Sequence, residues 1–308
     1  MRKIIVSALG PAGPSGRPRG AEAVKLMQEF WCRQLDSVLP DKPDLISVPE
    51  CSDRFREHSI DERIAYYRER GDQMREFWRK IARDNHSFVA YSAVRELPDG
   101  SFRNSTQLLD RKGEVIAIYD KNYPVVEETT VGNILPGKTE SVVDCELGRV
   151  GFAICFDLNF RELADRYAIR QPHLLLFCSM YHGGLMQSYW AYRCRSWFVG
   201  TICDIESSIL NPLGSQTAQS TKYRPAITAQ INTDYEVVHL DYNWEKLAAA
   251  KQKYGRKIKI FDPGKLGAVL ITSESAEISA AEVVKEFELE RLDDYYQRAT
   301  QHREKYLG

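Results

Sequence analysis

Three residues of this 308-residue sequence could together carry out nucleophilic chemistry: Cys155, Glu50 and Lys121. Cys155 ends an apolar run, residues 149–155, and a helix is predicted to begin shortly after it. A thiol on such a strand-to-helix turn is displayed at the edge of a sheet, and the backbone N–H groups that follow point to where an oxyanion would form. A deprotonated cysteine is a strong nucleophile. The alternative is a structural cysteine, because cysteine is among the most buried residue types.

Glu50 and Lys121 each follow a predicted strand. Glu50 comes after Pro49, which ends the strand and makes the turn rigid. Burial raises the pKa of a carboxyl group, so a partly desolvated Glu50 could take a proton from a thiol. Lys121 could hold a developing oxyanion and lower the pKa of a nearby thiol. Alone, either residue is better explained by a surface position, but an acid, a cation and a thiol at three strand ends are typical of an α/β active site.

The elements that must position these residues alternate along the chain. Apolar runs predict strands over residues 3–8, 44–48, 88–95, 101–109, 115–120, 141–147, 149–155, 174–178, 198–205, 208–210 and 226–235. Helical spacing predicts helices over residues 21–38, 62–85, 160–169, 184–197 and 282–302. We therefore predict one α/β domain over residues 1–242, with many antiparallel strand pairs. Residues 243–308 are predicted to form an extended C-terminal arm that packs on this domain or on a partner subunit.

Composition excludes several classes of protein. Apolar residues make up 43% and charged residues 28% of the chain, as in an ordinary folded protein. A formal net charge of −1 gives no basic excess for binding nucleic acid. No window approaches the roughly 18 apolar residues of a membrane helix. Seven cysteines without a CxxC pair favour reduced thiols in a cytoplasmic protein and argue against a structural zinc site.

The order and context of these residues resemble the nitrilase, or carbon–nitrogen hydrolase, superfamily. The matching motifs are Val48-Pro49-Glu50, Asn104-Ser105, Tyr119-Asp120-Lys121 and Gly-Phe-Ala-Ile-Cys-Phe-Asp at 151–157, with further matches at Pro136-Gly137, Arg161-Glu162, Ser179 and Arg193/Arg195. The resemblance covers residues 1 to about 240. It implies an α-β-β-α sandwich that pairs into a homodimer or a larger homo-oligomer, with no metal and no organic cofactor.

The resemblance also implies a role for each residue. Cys155 would attack a carbonyl or nitrile carbon, with Glu50 as the general base. Lys121 and the backbone N–H after Cys155 would stabilise the tetrahedral oxyanion. A second glutamate shortly after the lysine would position the lysine and the substrate, and the spacing favours Glu128 over the adjacent Glu127.

The substrate predicted from this resemblance is a small amide or a ureido (N-carbamoyl) compound. True nitrilases usually carry Trp-Glu after the nucleophile, whereas Phe156-Asp157 is closer to the amidase and carbamoylase branches. Phe156, Tyr181 and His182 are predicted to bind substrate, although His182 is equally consistent with a structural histidine.

Arg161 and Arg193 are the candidates for binding a substrate carboxylate, and each could instead be an ion-pair partner. We assign Arg161 to the substrate site. Nitrile hydrolysis, acyl transfer to an amine, and a catalytically silent binding or scaffold protein remain the alternatives, because a fold alone does not fix a function.

Overall fold

Two six-stranded sheets form the framework of Ile4–Gln230, the larger of two units in the computed structural model, which describes residues 3–307. In spatial order, the first sheet contains β12 (Ala226–Asn232), β1 (Lys3–Leu9), β2 (Leu45–Ser47), β3 (Phe88–Glu96), β4 (Phe102–Leu109) and β5 (Val115–Asp120). The second contains β11 (Gln216–Gln219), β10 (Ser208–Leu210), β9 (Trp197–Ile202), β8 (Leu174–Ser179), β7 (Gly148–Ile154) and β6 (Val142–Cys145). Strands β1–β3 and β7–β9 are parallel, whereas β3–β5, β6–β7 and β9–β11 are antiparallel.

Helices cover one face of each sheet, and the opposite faces of the sheets meet. The helices of this unit are α1 (Gly20–Leu35), α2 (Ile60–Arg70), α3 (Gln73–Asn85), α4 (Val126–Thr130), α5 (Arg161–Arg170) and α6 (Leu185–Cys194), with short 3-10 helices at Leu39–Asp41 and Cys155–Asn159. Helices α1 and α3 bury apolar side chains against the first sheet, and α5 and α6 do so against the second. Between the sheets, Thr201 donates a hydrogen bond of 2.7 Å to Ser47. This layering confirms the predicted α-β-β-α class.

The predicted helix over residues 62–85 is in fact two helices. Ser59 caps α2: its hydroxyl accepts a hydrogen bond from the Glu62 backbone N–H, and the Glu62 carboxylate accepts one from the Ser59 backbone N–H. Gly71 ends α2 with a φ of +47°, in a backbone region that glycine adopts with little strain. The apolar periodicity continues on both sides of this break, so it predicted one helix.

The second unit contains Lys3 and the residues from Ile231 onward. Its elements are β13 (Tyr235–His239), α7 (Trp244–Tyr254), a short 3-10 helix (Gly255–Lys257), β14 (Ile258–Phe261), β15 (Ala268–Ser273), α8 (Ala280–Glu286) and α9 (Leu292–Glu304). The strands form an antiparallel sheet in the order β13-β15-β14. Val238, Leu247 and Ile271 belong to its own apolar core.

Residues 243–307 therefore belong to a folded sheet and apolar core that also include β13, where we expected an extended arm. The predicted strand 226–235 is split between β12 and β13, and the predicted helix 282–302 between α8 and α9. The predicted domain boundary at residues 242 and 243 stays a prediction. No helix within residues 3–307 is long and apolar enough to cross a membrane.

Candidate active site

Glu50, Lys121 and Glu128 form a buried charged cluster at the ends of the strands of the first sheet. Lys121 directly follows β5, Glu50 lies three residues beyond β2, and Glu128 lies on α4. The Lys121 ammonium donates to Glu50 Oε1 at 2.8 Å and to Glu128 Oε2 at 2.7 Å. The structure thus brings Glu128 to the lysine, whereas Glu127 is exposed.

Asn104, which lies on β4, ties the two carboxylates together. Its Nδ2 donates to Glu50 Oε1 at 2.8 Å and to Glu128 Oε1 at 3.0 Å. Its backbone carbonyl accepts a hydrogen bond of 2.8 Å from the Lys121 N–H. One side chain and one peptide group of Asn104 therefore fix all three charged residues.

The charges of the cluster stabilise one another. Burial alone raises the pKa of Glu50, but Lys121 and the hydrogen bonds to the carboxylate outweigh burial, so the net pKa lies below the ordinary value. Burial alone lowers the pKa of Lys121, but Glu50 and Glu128 raise it above its ordinary value. The sequence led us to expect a raised pKa for Glu50, and the direction is opposite because the cation lies at hydrogen-bond distance. Glu50 is therefore a carboxylate and Lys121 an ammonium at neutral pH.

Cys155 occupies a strained position immediately after β7. Its φ is +49°, in the left-handed region that non-glycine residues rarely adopt. Asp157 holds this turn: its Oδ2 accepts hydrogen bonds from the Ile154 N–H at 2.9 Å and the Tyr119 hydroxyl at 2.7 Å. The turn starts the 3-10 helix Cys155–Asn159, and the first N–H groups of a helix lack partners within it. The Phe156 N–H is therefore placed to donate to an oxyanion beside the thiol.

The loop after Lys121 is bound to the same turn. The Tyr123 N–H donates to Asp157 Oδ1 at 2.8 Å, and the Tyr123 ring stacks on Phe160 with centroids 3.6 Å apart. Burial raises the pKa of the Asp157 carboxyl group to about 6, although its three hydrogen bonds act in the opposite direction. Asp157 thus connects the lysine loop to the cysteine turn.

The Cys155 thiol is half-buried and interacts with Glu50, Lys121 and Ser179. Burial and the nearby Glu50 carboxylate raise the pKa of the thiol to about 12, although Lys121 acts in the opposite direction. We expected Lys121 to lower this pKa, and its effect is present but smaller than that of burial and Glu50. The free protein therefore holds a neutral thiol close to an ionised carboxylate, which is the arrangement of a nucleophile with its general base.

The other predicted site residues are more dispersed. Phe156 is 38% exposed next to the nucleophile, and Tyr181 is 37% exposed with its hydroxyl donating to Asn159. His182 is exposed, and its Nδ1 accepts a hydrogen bond of 3.1 Å from the Gly184 N–H. Arg161 is 81% exposed at its side chain and pairs with Asp165 at 3.4 Å. The contacts described for these residues do not join Arg161 or His182 to the charged cluster, so their roles stay predictions.

Two cavities adjoin the cluster. The Glu50 cavity, of ≈ 380 Å³, is lined by Glu50, Trp31, Met180 and neighbouring residues. The Glu128 cavity, of ≈ 230 Å³, is lined by Glu128, Val125 and an apolar wall. Within the part of the chain that the structure describes, no group of three or more His, Cys, Asp or Glu side chains is arranged to hold a metal ion.

Asn104 and Asp157 take part in the site, although no role was predicted for either of them. Both residues belong to the motifs found in the sequence. The residue types could have indicated a role, because Asn104 is an amide near the start of a strand and Asp157 is a carboxylate two residues after the candidate nucleophile. Their partners are set by the tertiary structure, since Asn104 lies 54 residues from Glu50 and 24 from Glu128.

Comparison with known proteins identifies the family of this chain. The sequence model of the carbon-nitrogen hydrolase family matches residues 24–197. The chain is 26% identical over 184 residues to the nitrilase and fragile histidine triad fusion protein NitFhit of Drosophila melanogaster, a match covering 57% of this chain but only 40% of that protein. It is 23% identical over 228 residues to omega-amidase NIT2 of Bos taurus, covering 68% of this chain and 80% of that protein.

The fold is also that of solved structures. Saccharomyces cerevisiae Nit3, a member of branch 10 of the nitrilase superfamily, superimposes with a TM-score of 0.63, covering 86% of this chain and 97% of that chain. The two sequences are 18% identical, so this likeness concerns the fold alone. The family match extends over more than half of the sequence and includes Glu50, Lys121 and Cys155. The chain therefore belongs to the carbon–nitrogen hydrolase family, in the nitrilase superfamily.

Proposed function

We propose that this protein hydrolyses the C–N bond of a small carboxamide or N-carbamoyl compound through a thioester on Cys155. The observation that carries the proposal is the buried Glu50–Lys121 pair at 2.8 Å, with the half-buried Cys155 thiol close to Glu50. Burying a carboxylate and an ammonium is costly unless they are closely paired, and at active sites such pairs serve chemistry.

In the first half of the reaction, the Cys155 sulfur attacks the carbonyl carbon while its proton moves to Glu50. A thiol with a raised pKa is a weak nucleophile until a base removes its proton, so attack and proton transfer occur together. The tetrahedral oxyanion accepts hydrogen bonds from Lys121 and from the Phe156 N–H. An ammonium has three N–H donors, and Glu50 and Glu128 occupy two, so the third is available to the oxyanion.

The intermediate then collapses. Glu50 returns its proton to the nitrogen, the C–N bond breaks, and ammonia or an amine leaves. Glu50 next deprotonates a water molecule, which attacks the thioester carbonyl. The C–S bond then breaks, and the Cys155 sulfur takes the proton that Glu50 removed from the water molecule. A carboxamide substrate releases a carboxylic acid, an N-carbamoyl compound releases carbamic acid, and the site returns to its starting charges.

An amide or ureido compound is the substrate class that we favour over a nitrile. The residues after the nucleophile are Phe156 and Asp157, where true nitrilases usually carry Trp-Glu. The carboxylate of Asp157 accepts hydrogen bonds from the Ile154 N–H, the Tyr119 hydroxyl and the Tyr123 N–H, so we assign it a structural role in the site. A relative with matching residues over most of its length is named as an omega-amidase, which also supports an amide.

The test is ammonia release from a panel of aliphatic and aromatic amides, N-carbamoyl amino acids and nitriles. Wild type is compared with Cys155→Ala and with Cys32→Ala, which removes an exposed thiol on α1. We expect release from amides or ureido compounds, loss of activity in Cys155→Ala by a factor of at least about 10⁴, and an unchanged rate in Cys32→Ala.

Each other outcome has a defined meaning. Undiminished turnover in Cys155→Ala would overturn the assignment of the nucleophile. Activity on nitriles alone would replace the substrate class and keep the mechanism. Transfer of the acyl group to hydroxylamine without hydrolysis would identify an acyltransferase, and a folded protein inactive on every compound would favour the binding or scaffold alternative.

A further inference from the structure

A second buried ion pair lies outside the charged cluster, in the loop that carries Glu50. We define this Glu50 loop as residues 48–53. The Arg70 guanidinium lies 2.6 Å from Asp53 Oδ2, and the two side chains are 5% and 0% exposed. Replacing a buried ion pair by apolar side chains of similar volume is often neutral or stabilising. Stability alone therefore does not account for this pair, and its place in the Glu50 loop points to the site.

The pair connects the Glu50 loop to two other elements. Arg70 is the last residue of α2, and its Nη2 donates a hydrogen bond to the backbone carbonyl of Val94 on β3. The hydroxyl of Tyr91, which also lies on β3, donates to Asp53 Oδ2 at 3.5 Å. One guanidinium group thus joins the loop to the end of α2 and to the central part of the first sheet.

Ser52 attaches the same loop to β3 and to α1. Its N–H and its hydroxyl both donate to the Ser92 carbonyl at 2.8 Å, and its carbonyl accepts a hydrogen bond of 2.9 Å from the Trp31 indole N–H. Between Ser52 and Glu50 lies Cys51, whose φ of +47° is in the left-handed region. A non-glycine residue stays in that region only when its surroundings hold it there. The contacts that follow Cys51 therefore keep the backbone next to the glutamate in a conformation that is unfavourable by itself.

We propose that Asp53 and Arg70 are positioning residues, which fix the carboxylate of Glu50 between the two sheets. Glu50 Oε1 accepts a hydrogen bond of 2.8 Å from Lys121, which follows a strand of the first sheet. Its Oε2 accepts one of 3.1 Å from the Met180 N–H, which follows a strand of the second sheet. A shift of the loop by about 1 Å would weaken both contacts at once. This role rests on the proposed function, in which Glu50 is the general base.

The kinetic test uses Arg70→Met, which removes the guanidinium group and keeps an unbranched side chain. We expect kcat/KM for the best amide to fall at least about tenfold, because a misplacement of about 1 Å can cost about 100-fold. The apparent pKa of the acid limb of the plot of kcat/KM against pH should rise, because Lys121 would hold the pKa of Glu50 down less strongly. The control is Leu247→Ala in the core of the second unit, which should lower the urea midpoint and leave the acid limb unchanged.

A double variant separates positioning from stability. Asp53→Leu combined with Arg70→Met replaces the ion pair by two apolar side chains, so the urea midpoint should lie closer to that of wild type than it does in Arg70→Met alone. We expect kcat/KM to stay low and the acid limb to stay displaced. Recovery of the midpoint, kcat/KM and acid limb together would overturn the positioning role, and so would an unchanged acid limb in Arg70→Met.

Alkylation of Cys155 tests the same role without amide turnover. The Glu50 carboxylate raises the pKa of the Cys155 thiol, so a displaced carboxylate should lower this pKa. Iodoacetamide should then modify Cys155 at pH 9 at least about threefold faster in Arg70→Met than in wild type or Leu247→Ala. The rate is followed by mass spectrometry at each of the seven cysteines. Faster modification would support the positioning role even if no amide is hydrolysed, and equal rates in wild type and Arg70→Met would overturn it.

Discussion

Replacing Lys121 with methionine should destabilise the protein in a way that depends on pH. The substitution removes the ammonium 2.8 Å from Glu50 and 2.7 Å from Glu128, while keeping an unbranched apolar side chain. Breaking a buried ion pair from one side costs about 3–5 kcal/mol, because the remaining charge stays buried. We expect the unfolding free energy of Lys121→Met to fall by about that amount at pH 8.

The loss should become smaller as the pH falls. Without the lysine, burial and mutual repulsion raise the pKa of one of the two carboxyl groups above its value in the unfolded chain. Such a group contributes stability that is fully present below the unfolded pKa and is lost as the pH rises through the folded pKa. The unfolding free energy of the variant should therefore approach that of wild type near pH 5, where this carboxyl group is protonated.

Urea denaturation followed by circular dichroism measures this effect in a double-mutant cycle with Glu128→Gln. In wild type, Glu128→Gln removes a partner of Lys121 and should lower the unfolding free energy. In the Lys121→Met background, the same change removes an uncompensated negative charge and should raise it. The reasoning is refuted if Glu128→Gln destabilises both backgrounds equally, or if the cost of Lys121→Met does not change between pH 5 and pH 8.

Three further predictions follow from the same site. Asp157→Asn places an amide NH₂ group against a backbone N–H or hydroxyl donor, which it cannot accept from, so the free energy of unfolding measured with urea should fall by about 1–3 kcal/mol. An unchanged urea midpoint would contradict the structural role of Asp157. A Cβ at Gly137 would lie 2.2 Å from the carbonyl oxygen of Asp120, the residue before Lys121, so Gly137→Ala should displace Lys121. We expect kcat/KM for the best amide to fall by at least about tenfold, and a wild-type value would show that the contact is unimportant. The pKa of Glu50 is lowered, so the acid limb of the plot of kcat/KM against pH should have an apparent pKa below the ordinary glutamate value of about 4.3. An apparent pKa between about 6 and 7 would argue against Glu50 as the base.

The sequence could place each main site residue at a strand end. Glu50, Lys121 and Cys155 each lie at or within three residues of the end of an apolar strand. Glu50 and Lys121 follow strands of the first sheet and Cys155 follows a strand of the second, so their mutual placement depends on the packing of the two sheets. The second glutamate could be chosen by spacing, and the structure brings Glu128 rather than Glu127 to Lys121.

The parts that the sequence did not predict depend on contacts between distant segments. The pKa of Glu50 is lowered because Lys121 lies at hydrogen-bond distance, and the pKa of Cys155 is raised by burial and by Glu50. Spacing along the sequence does not encode these distances. The break at Gly71 was hidden because a glycine within a helix costs only about 1 kcal/mol and the periodicity resumes after it.

The most direct test of the account is to trap the acyl-enzyme. Wild type is mixed with its best amide substrate, quenched in acid within one turnover, digested and mapped by mass spectrometry across all seven cysteines. We predict one adduct, on Cys155, with the mass of the substrate acyl group, formed with release of one equivalent of ammonia or amine and absent in Cys155→Ala. Turnover with an adduct on another residue, or turnover that persists in Cys155→Ala, would contradict the central claim that Cys155 is the nucleophile.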